Sequence, residues 1–476
     1  MKISKVFVNT GIYSIGTIIP KVIGFVFLPI YTIYLTPTDY GIINSVQVLQ
    51  PLFALLFSLG LDSSIFRLYC DYKSQEEKRT FFSTIFIFTF LLSSFCTLIL
   101  IIFNSQVEQI YKSIDFFPFF LYSIITTFVA NLFVLPRKYM MLMEQANKFV
   151  FWSLMQFVIT AVITLFFVIS LKSGAEGFLE AKMIGTLALA PVFLFFSFRI
   201  INFKFSFAIL RQILKFSLPI LPVLLSSKVV DFSDRVFLER YLSVADVGIY
   251  SIAYTIASIS ILLSSSLDIA YRPTFFRNAN MEDIEHGKKE IYKFNNIILV
   301  INALLFFTIS LFSKEVVILF LNERYHDSYL YIPIILASNF FVSASAITAR
   351  FFEQSKKTKQ NMYIYFFIAL FNILLNYLLI PLYGIYGAAL ATIISFFACF
   401  TITYLYAKKN CFFIPINFKL IVPGLLITAS IIIIQYFYDI NIIFSLVIKL
   451  FIIAVLAYIV YKKYSKTILA IFFKNE

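Results

Sequence analysis

The 476-residue sequence has very little of what soluble enzymes and metalloproteins are built from. Charged residues make up 13% of the chain, against roughly 25% in an ordinary soluble domain. It contains two histidines, His286 and His326, and four cysteines with neither CxxC spacing nor clustering. No metal site or disulfide framework is therefore encoded, and the sequence implies no cofactor. Walker-A, GxSxG and HExxH motifs are also missing, so no common catalytic signature is present and we do not expect an enzyme.

What the chain has instead is apolar length. Hydrophobic residues make up 61% of it, and the mean hydropathy is +0.90, values typical of an all-α integral membrane protein. Since a membrane span needs about 20 mainly apolar residues, the runs between polar segments predict fourteen transmembrane helices. These are residues 8–34, 41–66, 81–103, 117–136, 149–171, 178–198, 213–239, 246–271, 294–320, 330–350, 362–382, 385–406, 420–438 and 442–461.

The basic residues predict the orientation of these spans. The two termini, the loops after even-numbered spans and the adjoining span ends hold 29 of the 39 Lys and Arg residues, whereas the opposite side holds 7. Membrane proteins concentrate Lys and Arg on the cytoplasmic side, so we expect a multi-pass protein with both termini in the cytoplasm. Because the net charge of +14 is spread over eight short segments, it predicts no nucleic-acid partner.

Two stretches of the sequence are related to each other at a spacing of about 207 residues. The repeated pairs are Lys21 and Lys228, Tyr34 and Tyr241, Leu35 and Leu242, Asp39 and Asp246, Gly41 and Gly248, Ile42 and Ile249, Glu144 and Glu353, Gly174 and Gly384, and Gly177 and Gly387. Asp62 and Arg67 are roughly matched by Asp268 and Arg272. These landmarks keep their order, so chance similarity between apolar segments explains them poorly, and we interpret them as an internal duplication.

The duplication predicts the domain organisation. Six spans separate equivalent points, so the two halves have the same orientation and form parallel repeats related by an axis along the membrane normal. We predict a first six-helix bundle at residues 1–205, a second at residues 206–410, and two extra transmembrane helices with a cytoplasmic tail at residues 411–476. Glycine at the GAEG and GIYG segments predicts tight turns on the outer side.

Two lysines at equivalent positions lie deep within predicted spans. Lys21 is 14 residues before Leu35, and Lys228 is 14 residues before Leu242. At 1.5 Å per residue each lies about 20 Å below the outer helix end, close to the middle of a hydrocarbon core about 30 Å thick. An intramembrane charge is costly, so Lys21 and Lys228 are candidates for binding an anionic substrate. Lys449 also lies within a span but has no repeat counterpart.

The seventh span is the most highly charged. Lys228, Asp231 and Arg235 are spaced to lie on one face of its helix, and Asp234 is adjacent. Such a face must line a hydrated cavity or pair with charges on its neighbours. Two interpretations remain open for Lys228 and Asp231, a substrate cavity or a local ion pair that holds helices together.

Four acidic residues are candidates for charge compensation or ion coupling, and one basic residue has two explanations. The acidic residues are Asp62, Asp231, Asp234 and Asp268. Arg235 is a candidate for substrate binding, but it lies near the outer surface, where snorkelling of a long side chain explains it equally well.

Three segments resemble a known family. They are residues 34–69, YLTPTDYGIINSVQVLQPLFALLFSLGLDSSIFRLY; residues 210–258, LRQILKFSLPILPVLLSSKVVDFSDRVFLERYLSVADVGIYSIAYTIAS; and residues 381–392, PLYGIYGAALAT. Over roughly residues 8–406 the chain resembles the Wzx-type polysaccharide flippases of the multidrug, oligosaccharidyl-lipid and polysaccharide exporter superfamily. Fourteen spans are typical of the lipid II flippases in that superfamily, but the consecutive charges of their first span are not present around Lys21.

The resemblance implies a flippase of the cell inner membrane that serves O-antigen or capsule biosynthesis. Its substrate would be an undecaprenyl-pyrophosphate-linked oligosaccharide, moved by alternating access from the cytoplasmic to the outer leaflet through a cavity between two lobes. Family members use cationic residues in that cavity, and Lys21, Lys228 and Arg67 occupy equivalent places. The implied partners are the lipid-linked oligosaccharide, the bilayer and, as a further candidate, a polysaccharide polymerase.

Two other classes are weighed against the flippase. A small-molecule or drug antiporter of the same fold, coupled to H+ or Na+, predicts a cavity dominated by acids, for which the four aspartates leave room. A glycan polymerase or ligase predicts a substantial outer loop, and every predicted outer loop is short. The repeated lysines favour the flippase.

Overall fold

The computed structural model describes residues 18–417, 422–437 and 445–456, together with the single positions 13, 16, 419, 458 and 462. Within these residues the chain forms helices and turns and no strand. The all-α membrane fold predicted from the sequence is confirmed. Contact clustering divides the chain into two compact units, Met1–Gly248 and Ile249–Glu476.

The longer helices follow the predicted order of spans. They are α1 (Leu28–Tyr34), α2 (Pro37–Ser58), α3 (Gln75–Ile102), α4 (Phe116–Leu142), α5 (Ala146–Ser170), α6 (Gly174–Ile200), α7 (Phe207–Ile220), α8 (Leu224–Tyr241), α9 (Val244–Ala279), α10 (Ile284–Leu311), α11 (Ser313–Phe320), α12 (Ile332–Gln354), α13 (Thr358–Tyr383), α14 (Ile385–Asn410), α15 (Val422–Phe437) and α16 (Ser445–Leu456). Ten of those described are long and apolar enough to cross a membrane, or eleven if the bent pair α7 and α8 forms one span.

The predicted number of fourteen spans extends past the described residues. The first, thirteenth and fourteenth predicted spans lie partly outside them, so that number stays a prediction. The seventh span is broken, because α7 and α8 meet at a bend of 45°. Pro219 and Pro222 lie at this break, and each lacks the backbone N–H that a continuous helix would need there.

Two predicted boundaries were wrong. The second span, predicted to reach residue 66, ends at Ser58 because Leu59 and Gly60 have φ angles of 47° and 66°, which an α-helix cannot include. The eighth span, predicted to end at residue 271, continues in α9 to Ala279.

The chain turns at the first glycine of both predicted turn segments. Gly174 and Gly384, which are repeat-equivalent, have φ angles of 57° and 58°, a conformation that favours glycine. Gly174 lies at the start of α6, and Gly384 separates α13 from α14. Each half of the sequence therefore has a glycine with nearly the same φ angle at this turn, whose predicted place on the outer side stays a prediction.

The repeat also duplicates a helix cap. At the start of α2, the Asp39 amide donates to the Thr36 hydroxyl over 3.1 Å, and the Thr36 amide donates to the Asp39 carboxylate over 2.9 Å. At the start of α9, the Asp246 amide donates to the Ser243 hydroxyl over 3.2 Å. Asp39 and Asp246 are therefore explained by capping, which satisfies amide groups that the first helical turn leaves unpaired.

The beginnings of α2 and α9 cross at the two repeated glycines, within the first unit. A Cβ atom built on Gly41 would lie 1.9 Å from the Val244 carbonyl oxygen, and one built on Gly248 would lie 2.0 Å from that of Pro37. Pro37 and Val244 are themselves 207 positions apart, so each helix makes the same contact on the other. Only glycine allows the two backbones to approach this closely.

Alanine at Gly41 or Gly248 is expected to destabilise the protein by at least about 1–3 kcal/mol, the usual cost of overpacking, because the added methyl group meets backbone and not a flexible side chain. Gly24 is the control, since a Cβ there has nothing within 4 Å. Gly24→Ala is expected to be neutral or mildly stabilising. Thermal unfolding midpoints of the detergent-purified variants test this, and equal midpoints for all three variants would contradict it.

Candidate functional site

Both repeated lysines lie on helices of the first unit. Lys21 lies in the helical residues 18–26 and is exposed, whereas Lys228 lies in α8 and is partly buried. In the part of the chain that the structure describes, neither ammonium group has a hydrogen-bond or ion-pair partner. A charge in a membrane span that lacks a protein partner needs water or an anion from outside the protein.

In the turn before Lys228, the side chain of Ser226 forms a hydrogen bond to the backbone of the preceding turn. The Ser226 hydroxyl is buried and donates to the Pro222 carbonyl over 2.6 Å. This bond keeps the hydroxyl occupied next to the bend. The Asp231 side chain lies outside the described residues, so the local pairing of Lys228 with Asp231 stays a prediction.

Further along α8, two predicted site residues lie side by side in the interior. Asp234 and Arg235 are 1% and 6% exposed, and the Asp234 Oδ2 lies 4.0 Å from the Arg235 Nη1. Arg235 is therefore buried next to a carboxylate and does not snorkel to the surface.

The C-terminal end of α8 is fixed to the segment after α3. The buried Glu239 carboxylate accepts hydrogen bonds from the backbone amides of Lys112 and Ser113, at 3.1 and 2.6 Å. Arg240 donates to the Gln109 carbonyl over 2.7 Å. These contacts hold the helix that carries Lys228 at its C-terminal end.

Asp62 and Asp268 occupy equivalent ion pairs in the two halves of the sequence. In the first unit, the Asp62 carboxylate lies 3.6 Å from the Lys138 Nζ on α4. In the second unit, Asp268 on α9 accepts a hydrogen bond from the Arg350 guanidinium on α12. Each aspartate therefore compensates a base on the fourth span of its own half.

Aromatic rings support both of these bases. The Lys138 Nζ lies 5.2 Å from the centre of the Phe66 ring, and the Arg350 guanidinium lies 4.8 Å from that of Tyr271. Such cation–π contacts stabilise a partly desolvated cation. The repeated unit is thus an aspartate, a base and a ring, and its geometry indicates a structural tie.

Arg67 is placed differently from the intramembrane lysines. Its side chain is 63% exposed and pairs with Asp71, one helical turn later, over 3.0 Å. Its counterpart Arg272 is half exposed and pairs with Glu353 over 2.5 Å. Within the described residues of the first unit, Arg67 therefore pairs with Asp71 and not with a group beside either lysine.

Sequence reasoning missed a buried ion pair in the second unit. The Lys449 Nζ on α16 lies 2.5 Å from the Glu315 Oε1 on α11, and the Ser445 hydroxyl donates to the same oxygen over 2.8 Å. Both charged side chains are less than 10% exposed. In the sequence, Lys449 and Glu315 are visible only as two opposite charges in separate apolar stretches. That they form a pair becomes apparent only from the fold.

Profiles of two families match the chain. The profile of the polysaccharide biosynthesis protein family matches residues 6–279, and that of the MatE family matches residues 219–378. Among curated proteins, an uncharacterized membrane protein of Methanocaldococcus jannaschii, MJ1375, is 24% identical over 258 residues. That match covers 51% of this chain and 60% of the relative, which is less than two thirds of its length.

Solved structures share the fold at low sequence identity. The lipid II flippase MurJ in an inward closed conformation matches with a TM-score of 0.73 and 14% identity, over 95% of this chain and 99% of MurJ. An inward-facing multidrug resistance transporter of the MATE family and the MOP superfamily matches with a TM-score of 0.61 and 14% identity, over 82% of this chain and 97% of its own.

These matches give the class of the protein and its family. The fold is that of a multi-pass membrane protein, and it is shared with the lipid II flippase MurJ and with a MATE-family transporter of the MOP superfamily. Because the first profile covers more than half of the sequence, the chain belongs to the polysaccharide biosynthesis protein family.

The two aspartate pairs differ in burial and should differ in energy. Arg350 is only 2% exposed, whereas Lys138 and Asp62 are 29% and 37% exposed. Asp268→Asn leaves a buried cation without its counter-charge, which is expected to cost about 3 kcal/mol. Asp62→Asn is expected to cost about 1 kcal/mol or less.

Unfolding midpoints of these variants in one detergent are the measurement. Adding Arg350→Met to Asp268→Asn should recover most of the loss, because the orphaned charge is then removed. Equal losses for Asp62→Asn and Asp268→Asn, or no recovery in the double variant, would contradict this account.

Proposed function

We propose that the protein is a flippase that moves an undecaprenyl-pyrophosphate-linked oligosaccharide from the cytoplasmic to the outer leaflet by alternating access. In this proposal it serves the biosynthesis of a surface polysaccharide such as O-antigen or capsule. The observation that carries the proposal is the pair of repeat-equivalent intramembrane lysines, Lys21 and Lys228, which have no partner among the described residues.

The chemistry of the substrate fits these lysines. A pyrophosphate that crosses the hydrocarbon core must have its charge met by cations, while the polyprenyl chain stays in lipid. Ammonium groups on two spans at a similar depth can meet that charge without a metal or a covalent step. Membership of the polysaccharide biosynthesis protein family supports a glycan as the attached group.

The charge pairs favour a flippase over a cation antiporter. A cavity for organic cations needs unpaired acids, but Asp62, Asp234 and Asp268 each lie next to a base. The MatE profile over residues 219–378 keeps the antiporter as a second candidate. That candidate predicts export of cationic dyes, coupled to H+ or Na+.

The proposal also includes the membrane location, the domain bounds and a partner. We place the protein in the cell inner membrane with both termini in the cytoplasm, because its basic residues concentrate on that side. We assign the two repeats to residues 1–205 and 206–410, and the added helices to residues 411–476. A polysaccharide polymerase is the proposed downstream partner.

Replacing either lysine is expected to abolish most of the transport. In a strain without its own polysaccharide flippase, Lys21→Ala or Lys228→Ala should lower surface polysaccharide by about tenfold or more, since a hydrogen bond to a charged group contributes about 1.5–3 kcal/mol. Arginine at either position should restore part of the signal, because the charge returns. Surface polysaccharide and membrane expression are measured together.

Lys73→Ala is the matched control, because Lys73 is exposed and lies outside the predicted spans. It should transport normally. Normal polysaccharide from well-expressed Lys21→Ala and Lys228→Ala proteins would overturn the proposal. Dye export that depends on acidic residues and not on these lysines would favour the antiporter.

A further inference from the structure

An apolar groove runs along the outer face of the helix pair α13 and α14 in the second unit. Its volume is about 640 Å³. Its lining includes Tyr363, Phe367 and Phe371 from α13 and Ala398, Ile402 and Tyr406 from α14. Tyr363 and Phe367 are 55% and 64% exposed, so the groove opens away from the protein.

The dimensions of the groove match one leaflet of a bilayer. On α13 the lining extends from Gln360 to Phe371, which corresponds to about 16 Å along a helix. That is about half of a hydrocarbon core about 30 Å thick. A groove of this depth and polarity accommodates an extended acyl chain that starts at one membrane surface.

Two lysines continue the lining residues at that surface. On α13, Lys359 precedes Tyr363 by four residues and Phe367 by eight, so the three follow one helix face. On α14, Lys409 follows Tyr406 by three residues and Ile402 by seven, which is again one face. Both lysines are exposed and carry no ion pair with the described residues.

Neighbouring lysines at the same helix ends have other positions. Lys357 donates to the Asn410 carbonyl and so joins the two helix ends. Lys408 is exposed and lies two residues after Tyr406 and six after Ile402, which places it off the lining face of α14. Lys356 is exposed and lies outside α13, at a position with a φ angle of 55°. The chain therefore offers a control pair of exposed lysines with the same charge, neither of which continues a lining helix face.

A polar group at the top of the groove lacks a partner. Gln360 lines the groove, and its buried side-chain oxygen accepts no hydrogen bond from the described residues. The Lys357 N-cap gives no side-chain hydrogen bond to the first turn of α13, so backbone N–H groups there are not capped. Together they offer an acceptor for a hydroxyl and donors for an anion.

We propose that this groove is a binding site for an anionic glycerophospholipid, with one acyl chain between α13 and α14 and the phosphate between Lys359 and Lys409. The Gln360 side-chain oxygen then accepts a hydrogen bond from a headgroup hydroxyl, such as one on the terminal glycerol of phosphatidylglycerol. Basic residues above an intramembrane groove are a recognised arrangement for lipid headgroups. The site is independent of the proposed substrate, whose polyprenyl chain is much longer than this groove.

The test is native mass spectrometry of the purified full chain in neutral detergent. Phosphatidylglycerol and phosphatidylcholine with identical acyl chains are added in equal amounts. The wild-type protein is expected to retain phosphatidylglycerol preferentially. In the Lys359→Gln, Lys409→Gln double variant, the amount of retained phosphatidylglycerol is expected to fall at least fivefold. In the Lys356→Gln, Lys408→Gln double variant, it should fall less than twofold. Size-exclusion profiles check that both remain folded.

A groove-filling variant tests the acyl chain separately. Ala398→Phe should lower retention of both lipids, because the ring occupies the space between the helices. Equal losses in the two lysine variants would show a diffuse charge effect and overturn the proposal, as would unchanged retention in Lys359→Gln, Lys409→Gln. Displacement by glycerol phosphate would indicate an anion site without a chain, and preferential displacement by undecaprenyl phosphate would assign the groove to the polyprenyl lipid. Either result overturns the glycerophospholipid assignment.

Discussion

The requirement that a charge inside hydrocarbon be compensated governs this structure. At three places in the described residues, a buried charged side chain has an opposite charge or backbone amides within reach. Asp268 meets Arg350, Glu315 meets Lys449, and Glu239 meets the amides of Lys112 and Ser113. Each contact joins segments that are distant in sequence, so it also holds the helices together. Lys21 and Lys228 are informative because, within the described residues, they lack such a contact.

The duplication has a different meaning at each pair of positions. Asp39 and Asp246 cap helices, and Gly41 and Gly248 permit a close crossing within the first unit. Asp62 and Asp268 each compensate a base on their own half of the sequence. Repetition alone therefore does not indicate function, because a duplicated bundle repeats its structural contacts first. The lysines are the repeated charges for which packing in the described residues gives no explanation, and this carries the flippase proposal.

The helices and their turns could be predicted because hydropathy and glycine conformation are local properties. The predicted turns at Gly174 and Gly384 hold, but the end of the second span was placed eight residues too late, since an apolar run does not reveal the left-handed backbone at Leu59 and Gly60. Arg350, the last residue of a predicted span, is 2% exposed. Its partner Asp268 is 82 residues earlier, and no local pattern predicts a contact over that separation.

The basic residues near Arg350, which the sequence predicts to share one side of the membrane, have different structural roles. A count of basic residues treats Arg350, Lys357, Lys359 and Lys409 alike. In the structure the first is buried against an acid, the second joins two helix ends, and the last two extend the faces of an apolar groove. Only charges that remain exposed and unpaired are available to a phosphate at the membrane surface. The basic residues that predict the orientation of the chain thus include, at one helix pair, two exposed lysines that extend the faces of an apolar groove.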